Sequence, residues 1–225
     1  MPFKLRPAED KDVPRIAESL LAAFESDPLH IAMLPREHTD NTMDWYQGRL
    51  RSALSDPNMC SMVAIDVRQE ADDDAKEAIA GYSRWLLPSQ SSEPDGAVDD
   101  QKPAVAFPDK ANKPLVDFYL QQCDNKRGKQ MDKSRDIVLY VLATHPAYQG
   151  QGIARMMLEW GINTAATVSQ SGQNKTPRIL LEATPLAYPV YRKFGWKDYD
   201  AITIDLKKYG IENGIEHTTV CMIRE

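Results

Sequence analysis

The spacing of apolar positions changes several times along the chain, and each spacing predicts one kind of element. Residues 10–24 place apolar side chains at intervals of three and four, which predicts an amphipathic helix, and residues 41–54 repeat this spacing more loosely. Residues 62–67 and 78–87 instead alternate or run apolar, as the strands of a hairpin do. The core positions predicted for the two helices are Val13, Ile16, Leu20, Leu21, Phe24, Met43, Tyr46, Leu50 and Leu54.

The second half of the chain begins with a strand, a glycine-containing connection and a long helix that starts near Ile153. A short helix that ends at a turn at Gly195 follows the next predicted strand. Helices interspersed among strands predict a single layered α/β domain that covers residues 1–225. Its predicted strands are residues 3–6, 62–67, 78–87, 137–144, 178–184, 201–206 and 217–223.

Residues 88–134 break this regular pattern. They begin with a segment rich in Pro, Ser and Asp and continue into a helix-like stretch that would turn Leu115, Phe118 and Tyr119 toward the body. We interpret the segment as an insertion, formed by a loop and a helix, before the central strand. A lid over a binding site and a decorative surface loop are both consistent with this composition.

Composition excludes several classes of function. The 225 residues are 42% hydrophobic, which is enough for one large core, and the net charge of −6 argues against a nucleic-acid or membrane-surface binder. The widely separated cysteines, Cys60, Cys123 and Cys221, indicate neither disulfides nor a zinc site. The consecutive carboxylates of Asp72, Asp73 and Asp74 indicate a solvated turn, so no metal is predicted. Without an apolar leader or membrane span, we expect a cytoplasmic protein.

The connection before Ile153 has the character of a phosphate-binding loop. Gly150 and Gly152 let the backbone approach a ligand closely, and the following helix points its unpaired N–H groups at the same place. The dinucleotide pattern G-x-G-x-x-G fails at Arg155, and the Gly-Lys-Ser/Thr of a P-loop is absent. The expected ligand is therefore an anionic cofactor of another kind.

Gln149, Gly152 and Ala154 form the pattern Q-x-x-G-x-A, which resembles the signature of the GNAT superfamily of acyl-CoA-dependent N-acetyltransferases. Tyr191 and Gly195 fit a second pattern of that superfamily, Y-x-x-x-G-F, with Trp196 in place of Phe. The order of elements and a Thr-Val-Cys-Met sequence near the C-terminus are also similar to puromycin N-acetyltransferase. The resemblance is strongest over roughly the last ninety residues.

This resemblance implies a mixed, mostly antiparallel sheet flanked by helices, with acetyl-CoA as cosubstrate. The strand end would hold pantetheine and the acyl carbonyl, and the loop would hold the pyrophosphate. Many members have an Asn where this chain has Thr184, whose hydroxyl can also bond an amide. The implied cofactor-binding residues are Leu142, Ala143, Thr144, Gln149, Gly150, Gln151, Gly152, Ile153, Ala154, Arg155 and Thr184.

Tyr191 is the expected general acid, because a phenol is protonated at neutral pH and can give its proton to a thiolate. Glu182 is the expected base, since a carboxylate within an apolar strand is costly unless it has a function or a partner. A structural salt bridge from Glu182 to Arg155 or Arg178 is the alternative. His145 is a further candidate base.

The expected function is direct transfer of an acetyl group to a primary amine of a small molecule or protein. The early helices and the insertion would border the acceptor, with Trp45, Tyr46 and Tyr119 as substrate contacts; core packing is the alternative for the first two. A non-catalytic acyl-CoA sensor of the same fold is the competing hypothesis. The expected partners are the thioester and an amine, with no nucleic acid or membrane, and a homodimer stays open.

Overall fold

The computed structural model describes residues 2–34, 40–68, 77–88, 106–170, 177–212 and 216–225. Its strands are β1 Phe3–Pro7, β2 Met59–Asp66, β3 Ile79–Leu86, β4 Ile137–Thr144, β5 Ile179–Ala183, β6 Lys197–Asp205 and β7 Glu216–Arg224. Its α-helices are α1 Val13–Ala23, α2 Pro28–Met33, α3 Asp40–Ser55, α4 Lys113–Gln130, α5 Ile153–Gln170 and α6 Tyr188–Lys193. Short 3₁₀ turns cover Asp10–Asp12, Pro146–Tyr148 and Leu206–Tyr209.

The strands form one sheet in the order β1-β2-β3-β4-β5-β7-β6. Every neighbouring pair is antiparallel except β4 and β5, which are parallel. The long connection from β4 to β5 contains α5, as a parallel crossover requires. The sheet confirms the predicted mixed, mostly antiparallel architecture, and β2 and β3 pair as the predicted hairpin.

Helices cover both faces of the sheet because successive strand residues point to opposite sides. Val63 and Ile65 pack with α1 and α3, whereas Ala64 packs against α5. The register of β3 and β4 shifts at one point, where Arg84 and Trp85 pair with Val141 and Leu139. Tyr140 is therefore the extra residue of a β-bulge in the strand that leads to the glycine loop.

The parallel pairing of β4 with β5 is short. It runs from Ile137 with Ile179 to Leu139 with Leu181, and β4 continues to Thr144 without β5 beside it. The two strands therefore separate at their carboxyl ends and leave a V-shaped gap in the middle of the sheet. Ligands of open α/β sheets bind at this kind of gap.

A buried carboxylate fastens the closed end of the gap. Asp136 precedes β4 and accepts hydrogen bonds from the side chains of Arg178 at 2.6 Å and Arg135 at 2.9 Å, and from the Asp132 backbone N–H. Burial works to raise the pKa of Asp136, but these donors hold it below its usual value. The ion pairs thus tie the start of β5 to the start of β4.

Two elements differ from the predictions. Helix α2 was not predicted, because its six residues are too few to show a helical period; Asp27 caps it and Pro28 is its first residue. Strand β6 begins at Lys197, four residues before the predicted start, because its first residues are polar and exposed at the sheet edge. The predicted acidic turn at Asp72, Asp73 and Asp74, and residues 89–105 of the insertion, lie outside the described residues.

Candidate active site

The free edge of β4 forms one wall of the gap. Leu142, Ala143 and Thr144 pair with β3 on one side, through Ser83, Tyr82 and Gly81. Their other side faces the space that β5 has left. An extended chain such as pantetheine can use this edge as an added strand would, through backbone hydrogen bonds.

The glycine loop continues directly from that edge. Gly150 and Gly152 have φ angles of +74° and +85°, which L side chains rarely adopt. A Cβ built at either position would meet nothing within 4 Å. The loop therefore leaves an open cradle beside two positions that require glycine.

Helix α5 adds donors to this cradle. Its first backbone hydrogen bond runs from the Met156 N–H to the Gly152 carbonyl, so the N–H groups of Ile153, Ala154 and Arg155 precede the helical hydrogen-bond ladder. These N–H groups and the positive end of the helix dipole favour an anion. Arg155 is 71% exposed at this end, where its Nε donates to Glu159 Oε1 over 2.7 Å.

A cleft of about 730 Å³ joins these features. All the predicted cofactor-binding residues line it except Gln151, whose side chain donates instead to the Ala147 carbonyl over 3.3 Å. Thr184 and Tyr191 line the opposite wall. The fit of an elongated, anionic thioester is therefore good: an unpaired strand edge for its arm and a cradle with amide donors for its phosphates.

Tyr191 is 5% exposed and packs edge-on against the indole of Trp196, with 5.8 Å between ring centroids. Burial, and then the charge of Glu182, raise its pKa far above the usual value for a phenol. The hydroxyl is therefore protonated at every physiological pH. A protonated phenol in the cleft wall is what a general acid requires.

Glu182 lies one residue before the end of β5 and does not line the cleft. Its Oε2 accepts from Nη2 of Arg127 over 2.7 Å, and both side chains are 8% exposed. Its predicted partners bind elsewhere, Arg155 to Glu159 and Arg178 to Asp136, so that pairing was wrong. Glu182 Oε1 and Arg127 Nε have no hydrogen-bond partner among the described residues.

His145, the other candidate base, caps the turn before the loop. Its Nδ1 accepts from the Ala147 N–H over 3.2 Å, and its ring contacts Tyr148 edge-on. It is not among the residues that line the cleft. The contacts give it a local structural role at the entry to the loop.

A second, smaller cavity of about 240 Å³ lies between the sheet and helices α1, α3 and α4. Trp45, Tyr46 and Tyr119, the three predicted substrate contacts, all line it. Trp45 and Tyr46 are also buried in the core around α1 and α3, so the core-packing alternative holds for them as well. Helix α4 of the insertion thus contributes to a cavity wall.

The cleft also contains residues from two distant segments that were not predicted to belong to the site. Asp27 caps α2 by accepting from the His30 N–H over 2.8 Å, and the start of β7 lies across the cleft from the loop. His217 is 3% exposed; burial lowers its pKa, and the charge of Asp27 opposes that shift. A capping Asp before Pro28 was the available signal for α2. The missed cleft residues are Phe24, Ser26, Asp27, Glu216, His217 and Thr218.

Comparison with known proteins agrees with this geometry. Residues 117–198 match the model of the acetyltransferase (GNAT) domain family. This part of the chain is therefore similar to the GNAT acetyltransferase domain. The match covers α4 to the start of β6, which includes the strand, the glycine loop and the Tyr191 helix of the cleft. A search of curated proteins gave no significant match.

Solved structures extend the GNAT likeness to the whole fold. Arylalkylamine N-acetyltransferase 2 from Aedes aegypti has a TM-score of 0.64 and 20% identity, with 100% of this chain and 99% of that chain covered. Histone acetyltransferase HPA2 and related acetyltransferase from Corynebacterium glutamicum has a TM-score of 0.56 and 19% identity, with 99% of this chain and 96% of that chain covered. PaiA N-acetyltransferase from Thermoplasma acidophilum, in complex with coenzyme A, has a TM-score of 0.51 and 10% identity, with 100% of this chain and 99% of that chain covered.

The described residues contain neither a membrane-spanning helix nor a cluster of metal ligands. None of the helices in those parts of the chain is long and apolar enough to cross a membrane. Within the same residues, no group of three or more His, Cys, Asp or Glu side chains could hold a metal ion.

Proposed function

We propose that the protein is an acetyl-CoA-dependent N-acetyltransferase that transfers the acetyl group directly to a primary amine. The observation that carries this proposal is the continuity of the cleft from the amide-rich cradle at Gly150 and Gly152, along the free edge of β4, to Tyr191. Acetyl-CoA supplies the thioester when it is bound. The cleft residues bind it, orient it and handle protons.

The backbone N–H groups at the β4 edge support the developing charge on the carbonyl oxygen, as preorganised donors do in acyl transfer. The amine nitrogen forms the new C–N bond, the C–S bond breaks, and the thiolate takes a proton from the Tyr191 hydroxyl. Burial of Tyr191 keeps that proton in place until a thiolate forms beside it. The cleft thus provides for both the carbonyl and the leaving group.

The amine must also lose a proton, and two carboxylates are candidates for accepting it. Glu182 is the base predicted from the sequence, but its Oε2 is bonded to Arg127 and its side chain is outside the cleft lining. Asp27 lines the cleft directly, close enough to His217 to affect its pKa. This location favours Asp27, and Glu182 stays a prediction to be tested beside it.

A thiol-release assay tests the proposal. The purified protein is mixed with acetyl-CoA and a panel of primary amines, and free CoA is measured with a thiol reagent while mass spectrometry follows the amide. We expect amine-dependent CoA release with one amide formed per thiol. Acetyl-CoA binding without turnover on any amine would support the competing function, a non-catalytic acyl-CoA sensor.

A further inference from the structure

Asp27 and His217 are hydrogen-bond acceptors in the wall of the cleft that faces the glycine loop. We propose that they hold the acceptor amine between them, with one N–H bonded to each, and that His217 makes the site select primary over secondary amines. This inference rests on the proposed acetyltransferase function and deepens it. It names the subsite for the amine and the residue that recognises an unsubstituted NH₂ group.

The course of acetyl-CoA assigns the amine to this wall. In the proposed complex, the phosphates lie in the cradle and pantetheine follows the free edge of β4, so acetyl-CoA covers the side of the cleft that β4 and the loop form. The amine therefore reaches the carbonyl carbon from the opposite side, where the α1–α2 connection and the start of β7 line the cleft. Asp27 belongs to the first of these segments and His217 to the second.

Helix α2 fixes the carboxylate of Asp27. Its Oδ1 accepts from the His30 backbone N–H over 2.8 Å, as the cap of the helix, and the residue is half-buried. The cap holds the side chain in one orientation and leaves Oδ2 as an acceptor for a ligand in the cleft. An amine N–H is a suitable donor, because a hydrogen bond to a carboxylate is stronger than one between neutral groups.

His217 supplies a neutral acceptor in the same wall. Burial lowers its pKa, and the charge of Asp27 opposes this shift only in part, so the imidazole is neutral at pH 7. A neutral imidazole accepts through one ring nitrogen and donates through the other. Nε2 lies 3.4 Å from Oγ1 of the buried Thr219, so a proton on Nε2 bonds that oxygen and leaves Nδ1 to accept from the amine.

The other polar side chains described in this wall suit the amine less well. Ser26 and Glu216 are exposed, so water competes for their oxygens. The Thr218 hydroxyl is engaged with Oγ1 of Thr203 at 3.1 Å. A buried imidazole and a carboxylate fixed by a helix cap are therefore the pair that can hold an amine in one orientation.

This arrangement uses both N–H groups and the lone pair of a primary amine. The lone pair attacks the carbonyl carbon while the N–H groups bond Asp27 Oδ2 and His217 Nδ1. As the C–N bond forms and the C–S bond breaks, the first N–H gives its proton to Asp27, the favoured base, and the thiolate takes the proton of Tyr191. The second N–H stays bonded to His217 in the amide product. A secondary amine has one N–H and must leave one acceptor unbonded, which is costly where water is excluded.

The test compares three primary amines, 2-phenylethylamine, hexylamine and glucosamine, with their N-methyl derivatives in the thiol-release assay. For each primary amine that is used, we expect kcat/KM to exceed that of its N-methyl derivative by about tenfold or more, since the site is built to bond both N–H groups. Equal use of the two members of a pair would overturn the inference and leave the acetyltransferase function intact. Acetyl-CoA binding without turnover of any of these amines would remove the proposed function and this inference together.

Variants of His217 separate hydrogen bonding from the bulk of the methyl group. His217→Leu removes the acceptor, and the ratio of kcat/KM between the primary amine and its N-methyl derivative should fall by about tenfold. His217→Asn keeps an oxygen near the place of Nδ1 and should keep most of the ratio. His145→Leu is the matched control, because that histidine is not among the residues that line the cleft, and its ratio should equal that of the unaltered protein.

The ratio compares two amines in one protein, so a change in acetyl-CoA affinity does not alter it. An unchanged ratio in a folded His217→Leu would contradict the role of His217. If His217→Leu does not fold, Thr219→Val takes its place, since it removes the oxygen that accepts from Nε2. The ratio should then fall by about threefold or more, and an unchanged ratio in Thr219→Val would overturn the inference.

Discussion

Tyr191 is the proposed general acid, and its side chain is buried in the wall of the cleft. Tyr191→Phe keeps the ring that packs on Trp196 and removes only the proton donor. We expect kcat to fall about ten- to a thousand-fold, in the range of general acid catalysis, with acetyl-CoA affinity little changed. Steady-state kinetics and calorimetry measure the two effects. Unchanged turnover would remove Tyr191 from the mechanism.

The two candidate bases can be separated by substitutions that keep their shape. Asp27→Asn retains an oxygen that can cap α2, so its main effect is on proton transfer; we expect kcat to fall by about a hundredfold if Asp27 is the base. Glu182→Gln leaves Arg127 buried without its counter-charge and should cost about 3 kcal/mol of stability.

The double variant Glu182→Leu/Arg127→Met completes the comparison of bases. It replaces the buried ion pair with apolar side chains, so much of the stability should return. Thermal unfolding and the pH dependence of kcat are measured on all three variants. If the double variant regains stability but not turnover, while Asp27→Asn remains active, Glu182 is the base and Asp27 is not.

Asp136 makes stability depend on pH at the acid end. Despite burial, its hydrogen bonds from Arg178 and Arg135 lower its pKa in the folded state. Its contribution is therefore fully present above the unfolded Asp pKa of about 3.9 and is lost as pH falls through the lower folded value. We expect Asp136→Asn to cost about 2–3 kcal/mol at pH 7.

Urea unfolding at several pH values measures the effect of Asp136. The difference in unfolding free energy between the unaltered protein and Asp136→Asn should shrink as pH falls below about 4, because the unfolded chain takes up a proton at Asp136 there while the folded protein still holds the carboxylate ionised. A difference that stays constant from pH 7 to pH 3 would show that the carboxylate charge does not stabilise the closed end of the gap between β4 and β5.

At the scale of elements, Gly161 allows α5 to lie close to the sheet. A Cβ at Gly161 would collide with the ring of Trp85, which is fully buried. Gly161→Ala should therefore destabilise the protein by about 1–3 kcal/mol, the usual cost of overpacking. Gly128→Ala is the matched control, because its Cβ meets nothing within 4 Å on α4; it should be neutral or stabilising by up to about 1 kcal/mol. Equal effects in thermal unfolding would contradict this packing.

The elements that the sequence predicts best are those whose signal is local. The loop at Gly150 and Gly152 combines a distinctive spacing with a strand before it and a periodic helix after it, and the structure has all three parts. Helix α2 has only six residues, so no apolar period could reveal it. The partner of Glu182 was also missed, since Arg127 is 55 positions away and chain distance carries no information about that contact.

At the scale of the whole molecule, the cleft depends on segments that are distant in sequence. Its walls come from the α1–α2 connection, from β4 and the glycine loop, from the β5–α6 connection, and from the start of β7. The mixed, mostly antiparallel sheet was predictable because the pattern of Gln149, Gly152 and Ala154 resembles that of the GNAT superfamily. The cleft residues Asp27 and His217 were not, because their place depends on how α2 and β7 fold back over the gap.

The most direct test of the account is calorimetric titration of acetyl-CoA into the protein and two glycine variants. Gly152→Asp puts a carboxylate into the cradle, and Gly210→Asp makes the same substitution at another left-handed glycine, with φ of +82°, away from the cleft. We predict binding by the unaltered protein and Gly210→Asp, and its loss in Gly152→Asp. Undiminished affinity in a folded Gly152→Asp, or no binding by the unaltered protein, would contradict the assignment of this loop.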